Sequence, residues 1–228
     1  MIFEKYTTCN GAVQWREVKG DRRFRKVVIG LVWPGPNPGF ACVVAEDAFK
    51  DARAERFSLH VLKELEDPEL GGFISMLHQL AGAYQVTDLL GDPENKTAQE
   101  FLYRFNADLY RQERQGLSIS RAALHGEASQ VEYALRVTQQ RLRSGSKSLF
   151  FGADMKLPAL LVNFRPRAIT SATPADYPGP VALGYAVAAF ERSGISVEIP
   201  GRPAPRAITD YDPFTYYDQP ANKFNRRF

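Results

Sequence analysis

Cysteine is nearly missing from this 228-residue chain, which holds only Cys9 and Cys42. Two thiols build neither a disulfide framework nor a cysteine-based zinc site, and they suit a reducing compartment, so a bacterial or host cytoplasm is the expected location. Histidine is scarce too: His60, His78 and His125 are spaced at no metal-binding interval. No apolar run approaches the ~20 residues that a membrane-spanning helix needs. The start, Met1-Ile2-Phe3-Glu4-Lys5-Tyr6, lacks the basic and then apolar pattern of a secretory leader. A Gly-x-x-x-x-Gly-Lys-Ser/Thr phosphate loop is absent, as are a Gly-x-Ser-x-Gly elbow and a Cys with His constellation, which excludes P-loop nucleotide hydrolysis and the common acyl-transfer chemistries. Neither sign of charge dominates, since 29 Lys and Arg face 26 Asp and Glu for a formal charge of +3. That balance permits a polyanionic partner without requiring one.

What is present reads as an ordinary globular chain, 44% apolar and 24% charged, of a length that suits one domain with appendages. Residues 1–26 form a polar, basic arm or hairpin, with Asn10-Gly11 and Gly20-Asp21 as its turns and Arg16, Lys19, Arg22, Arg23, Arg25 and Lys26 as its cations. Residues 27–33 are a β-rich run, broken by Pro34-Gly35-Pro36-Asn37-Pro38-Gly39, and residues 40–45 return as its hairpin partner. Residues 57–62 alternate apolar with polar and add a third antiparallel strand. Asp67-Pro68-Glu69 starts a helix, with Asp67 as N-cap and Pro68 at the first position, whose apolar stripe is Phe73, Ile74, Leu77 and Leu80. A helix-connected strand over 86–90 then runs parallel to the first and delivers Asp92 into a Gly/Pro turn.

A second helix covers 97–114, a fifth strand 117–120, and a long helix 127–143 buries Val131, Ala134, Leu135, Thr138 and Leu142. Residues 148–151 are a short apolar run, 157–164 a helix or turn, and 181–190 a helix of small residues able to approach a sheet closely. The compact domain therefore spans 27–200. Residues 201–228 are a Pro-, Arg- and aromatic-rich tail whose rings either anchor in another protein or fold back on this one.

Across roughly 27–190 this order and three local patterns resemble the nuclease domain of phage and viral terminase large subunits, a ribonuclease H-like family. That family carries an Asp on the first strand after a Gly-apolar step, an Asp or Glu at the end of the fourth, and a late helix with an acidic motif before it and an Ala-x-x-Tyr-Ala-like run within it. Asp92 fills the fourth-strand position, Asp176 in Ala175-Asp176-Tyr177-Pro178 is the counterpart of the late acidic motif, and residues 132–151 look like the penultimate helix and its short strand. The resemblance implies an α/β fold, a ribonuclease H-like mixed sheet with its first three strands antiparallel, flanked by helices and followed by the aromatic tail. It implies double-stranded DNA as partner, together with a packaging ATPase or another phage assembly protein, and no membrane.

Its chemistry is phosphodiester hydrolysis by two Mg²⁺ or Mn²⁺ ions held by converging carboxylates. Asp92 and Asp176 would be the catalytic ligands, with Asp88 or Glu94 completing the set, and Arg22, Arg23, Arg25, Lys26, Arg136, Arg141, Arg143 and Lys147 would contact phosphates. One departure stands against catalysis: Gly30-Leu31-Val32-Trp33 puts Leu31 or Val32 where the first-strand Asp belongs. Two readings follow, a metal-dependent endonuclease and a nuclease-dead relative that binds DNA or an assembly partner. Each residue also has a plain reading, Asp92 as a turn former, Asp176 as a helix cap, and the cations as solvated faces.

Overall fold

The computed structural model describes residues 2–50, 57–92, 95–111, 116–120, 130–143, 148–164 and 173–191. The tail at 201–228 lies outside them. Strands β1 (Phe3–Thr7) and β2 (Val13–Glu17) make an antiparallel hairpin, with Phe3 opposite Glu17 and Thr7 opposite Val13. Gly11 turns it at φ 81°, a left-handed value that favours glycine. β3 (Arg23–Val32), β4 (Gly39–Asp47) and β5 (Leu59–Asp67) form an antiparallel meander. Helix α1 (Leu70–Tyr84) crosses to β6 (Asp88–Leu90), parallel to β3, and α2 (Lys96–Arg111) leads to β7 (Ser118–Ser120), parallel to β6. After α3 (Gln130–Arg143), β8 (Leu149–Phe151) lies parallel to β5, and α4 (Leu157–Asn163) and α5 (Pro178–Ala188) follow.

Across the sheet the order is β7-β6-β3-β4-β5-β8. One side of β3 pairs with β4; the other is shared, β2 taking Arg23 and Phe24 and β6 taking Ile29 and Gly30. This is the expected mixed α/β sheet in ribonuclease H-like order, three antiparallel strands and a fourth returning parallel to the first. Residues 1–26 supply β1, β2 and the first residues of β3, and Phe3 sits in the core.

Among the boundaries that differ from the sequence expectation, two are set by side-chain hydrogen bonds. β5 runs on to Asp67 through Lys63-Glu64-Leu65-Glu66, because both carboxylates find partners: Glu64 accepts the Lys156 and Leu157 backbone N–H groups (2.5 and 3.1 Å) and Glu66 the Lys156 Nζ (2.5 Å). Helix α1 starts at Leu70, with Glu69 as N-cap. Asp67 Oδ1 instead accepts the Glu69 N–H at 2.7 Å, a local turn that sets the chain up one step before the helix.

The side chains of β3 alternate between two faces. Val27, Ile29, Leu31 and Trp33 join Ala41, Val43 and Ala45 of β4 beneath Phe73, Ile74, Leu77, Ala81 and Tyr84 of α1. The opposite face is covered by α5. A Cβ on Gly30 would lie 2.1 Å from the Ala182 carbonyl oxygen and 2.8 Å from the Ala186 nitrogen, so the helix touches the strand backbone only because both surfaces are small. Gly184, on α5, would meet the Ala134 backbone of α3 at 3.0 Å. Helix α5 is thus packed between the sheet and α3, which is why nearly every one of its residues is buried. No helix among the described residues is long and apolar enough to cross a membrane.

Candidate functional site

Parallel strands place their carboxyl ends side by side, and β3 and β6 do so at one end of the sheet. Their pairing runs from Ile29 with Leu89 to Gly30 with Leu90. Beyond it, a Cβ on Gly91 would approach the Leu31 carbonyl oxygen to 2.9 Å, so the two backbones remain in close contact. The Trp33 indole N–H donates to the Asp92 carbonyl at 3.2 Å and the Gly91 N–H to Ser120 O at 3.1 Å, which pins the chain as it leaves β6. Val32 ends β3 and Asp92 follows β6 by two residues, so both lie at this end of the sheet. Tyr185 of α5 completes the surroundings: it is 2% exposed, and burial first, then the Asp92 carboxylate, push its phenol well above the usual tyrosine range. It is therefore a neutral hydrogen-bonding group at any ordinary pH.

The turn that carries Asp176 reaches the same end of the sheet. Asn37, at the tip of the β3–β4 loop, donates its Nδ2–H to the Ala175 carbonyl at 2.7 Å. Within the turn the exposed Asp176 carboxylate accepts the Thr173 hydroxyl at 2.7 Å, while the Asp176 N–H donates to the Thr173 carbonyl at 3.2 Å. Its bonds are those of a local turn leading into α5. Asp88 lies at the opposite end of β6 from Asp92, exposed, and accepts the Ser118 hydroxyl at 2.7 Å, a tie between β6 and β7. Glu94 is outside the described residues. Among the described residues no three His, Cys, Asp or Glu side chains are grouped to hold a metal ion. Two-ion hydrolysis needs several carboxylates converging on ions ~4 Å apart. Among the described residues, Asp92 beside the protonated phenol of Tyr185 does not by itself make such a centre.

The cations divide into engaged and open groups. Arg22 and Arg23 are exposed at the start of β3. Arg25 donates to Glu46 at 2.6 Å and lies 3.6 Å over the Phe57 ring. The Lys26 ammonium donates to the Ala189 carbonyl at 2.7 Å, anchoring the end of α5. Arg136 donates through Nη2 and Nε to one carboxylate oxygen of Glu132, one helical turn back, at 2.8 and 2.9 Å. Arg143 is exposed at the end of α3, and Lys147 is outside the described residues.

Arg141 corrects the expectation of a phosphate contact. It is 3% exposed, forms an ion pair with buried Glu191, and donates to the Phe57 and Ser148 carbonyls at 3.1 and 3.2 Å. Its charge serves the fold. Nothing local in the sequence marks it, because the partner lies 50 residues on. Tyr185 was also missed as part of the Asp92 surroundings, although its place in a run of small residues singles it out as the one bulky polar group on that helix.

No known family profile matches the chain, and no curated protein matches it. Among solved structures, one match is the crystal structure of the g2p (large terminase) nuclease domain from the bacteriophage SPP1 with bound Mn. It is 15% identical, the match covers 84% of this chain and 95% of that one, and the TM-score is 0.40. A superposition that loose positions no atom of the Asp92 site.

Proposed function

We propose that this chain is a ribonuclease H-like module of a viral DNA-packaging assembly, one that binds double-stranded DNA without cutting it. The observations that carry this reading are that β3 ends in Leu31 and Val32, with no acid there, and that the buried phenol of Tyr185 lies within the field of Asp92. Mg²⁺ keeps most of its water and binds weakly to a single carboxylate, and without a bridging acid the charge developing on a cleaved phosphate goes unneutralised. Exposed Arg22, Arg23 and Arg143 supply phosphate contacts of the kind that need no base sequence. The packaging setting rests on the resemblance of strand order, Asp92 and the late helix. A packaging ATPase is the partner this setting calls for, since these residues include no phosphate loop.

A second reading, a metal-dependent endonuclease, is favoured by one fact: Asp92 and the Asp176 turn belong to the same end of the sheet. Asp92 and Asp176, with Asp88 or Glu94, would hold Mg²⁺ or Mn²⁺, which when bound lowers the pKa of an attacking water. Incubation with supercoiled plasmid and Mn²⁺, beside an Asp92→Ala variant, separates the two. The expected outcome is intact plasmid with wild type and variant alike, and duplex binding that weakens steeply as salt rises. Mn²⁺-dependent nicking that disappears in Asp92→Ala would overturn the non-cutting reading.

A further inference from the structure

Three strands set a row of charge across the N-terminal ribbon. The register places Glu4 of β1 opposite Arg16 of β2, and Arg16 opposite Arg23 at the start of β3. Directly opposed residues project to one face, so the three side chains share it. It is the open face, because their neighbours Phe3, Trp15 and Phe24 pack toward the core on the other. Arg16 and Arg23 are both exposed.

Like charges directly opposite one another on neighbouring strands lower stability unless an anion answers them. Glu4 answers one: its carboxylate accepts Arg16 Nε at 2.8 Å and Nη2 as well, while the guanidinium lies 5.7 Å over the Tyr6 ring. Arg23 has no carboxylate partner among the described residues. One acid thus faces two guanidinium groups. In the β2–β3 turn Lys19 and Arg22 add cations and Asp21 an acid, all exposed, whereas Glu17, opposite Phe3, belongs to the other face. Residues 2–26 carry seven cations and three acids. The excess survives Glu46 and Asp47 of β4, which pair with Arg25 and His60. Residues 51–56, outside the described residues, add two acids and two arginines and leave the balance where it is.

We propose that Arg16 and Arg23 together seat a phosphate group, and that this phosphate belongs to a duplex backbone. Opposed side chains start with their Cβ atoms ~5 Å apart, close enough for one phosphate to accept from both guanidinium groups. The inference rests on the DNA-binding reading above and adds the place where the duplex is held. A strand rises ~3.3 Å per residue, so ten-residue β3 sets this seat ~30 Å from the sheet end that carries Asp92. A phosphate held by Arg23 is therefore not one that Asp92 can reach. The seat anchors the duplex without presenting a bond for cleavage.

The test is duplex binding by fluorescence anisotropy over a salt series, on the full chain as wild type, Arg23→Gln, Glu4→Gln and Lys96→Gln, the last removing an equal charge from the start of α2. Arg23→Gln is expected to weaken binding and to flatten the slope of log affinity against log salt by about one, the share of one phosphate contact. Glu4→Gln is expected to strengthen binding, since it returns the whole Arg16 charge to the seat, and Lys96→Gln to leave the slope as it is. Unchanged binding in Arg23→Gln overturns the seat and leaves the DNA-binding reading intact. Equal losses in Arg23→Gln and Lys96→Gln assign the effect to net charge and overturn it too. Thermal unfolding in millimolar inorganic phosphate, against chloride at equal ionic strength, reads the seat without DNA: wild type is expected to gain melting temperature and Arg23→Gln to gain less. Should wild type bind no duplex yet show that difference, the DNA-binding reading falls and the seat stands for phosphate from another source. With neither duplex binding nor that difference, both fall.

Discussion

Arg141 shows what a single buried charge does here. Its guanidinium gathers Glu191, the Phe57 carbonyl before β5 and the Ser148 carbonyl before β8 onto helix α3. Removing one partner of a buried ion pair leaves the other charge without compensation, a cost of ~3–5 kcal/mol, whereas replacing both by apolar groups of similar size is often close to neutral. Arg141→Met should therefore lower the urea-derived unfolding free energy by about 3 kcal/mol or more, and Arg141→Met with Glu191→Leu should recover most of it. Equal instability of the single and double variants would show that packing, not charge, sets the cost. The tyrosines make a pH prediction at the same scale. Burial, with a smaller contribution from Glu17, pushes Tyr84 up to about 12, against ~10 in an unfolded chain. Between those values the folded protein keeps a proton that the unfolded chain has lost. The contribution is thus complete below pH 10 and is lost as pH rises toward 12. Denaturant titrations across that range should show falling stability, with a shallower fall in Tyr84→Phe.

At the scale of elements, the contact of β3 with α5 governs the rest. Gly30 has no room for a Cβ against the Ala182 and Ala186 backbone, whereas Gly35, in the β3–β4 loop, would meet nothing within 4 Å. Any side chain at 30 forces the helix off the sheet, and through it α3 and Tyr185. Gly30→Ala should cost ~1–3 kcal/mol, the usual penalty of overpacking, and Gly35→Ala almost nothing. Matching urea midpoints for the two variants would refute the close packing. Other element boundaries turned on contacts at a distance. The end of β5 is held by Lys156 and the Leu157 N–H, about 90 residues on, so the strand continues to Asp67, past the 57–62 that its alternation predicts. The strands over 27–33 and 40–45 were legible because Pro34 to Gly39 marks the reversal between them and their apolar content says that both faces are covered.

For the whole molecule, the order of strands follows from rules that act on neighbours in sequence: tight loops make antiparallel pairs, and a helical crossover returns a strand parallel to an earlier one. Periodicity, proline and glycine were enough to place the meander, α1, β6 and the small-residue helix, and so the ribonuclease H-like order. The position of Asp92 at a strand end was readable for the same reason. Its surroundings were not. Whether two acids meet, and whether a cation faces solvent or a buried carboxylate, depend on residues brought together from far apart in the chain. Lys26 meets Ala189 across 163 positions and Asn37 meets Ala175 across 138. Local sequence carries no trace of such pairings, because the hydrophobic pattern that selects an element is silent about which polar groups that element will carry against one another. Tertiary packing alone decided that Asp92 acts on Tyr185 and that Arg141 is paired with Glu191.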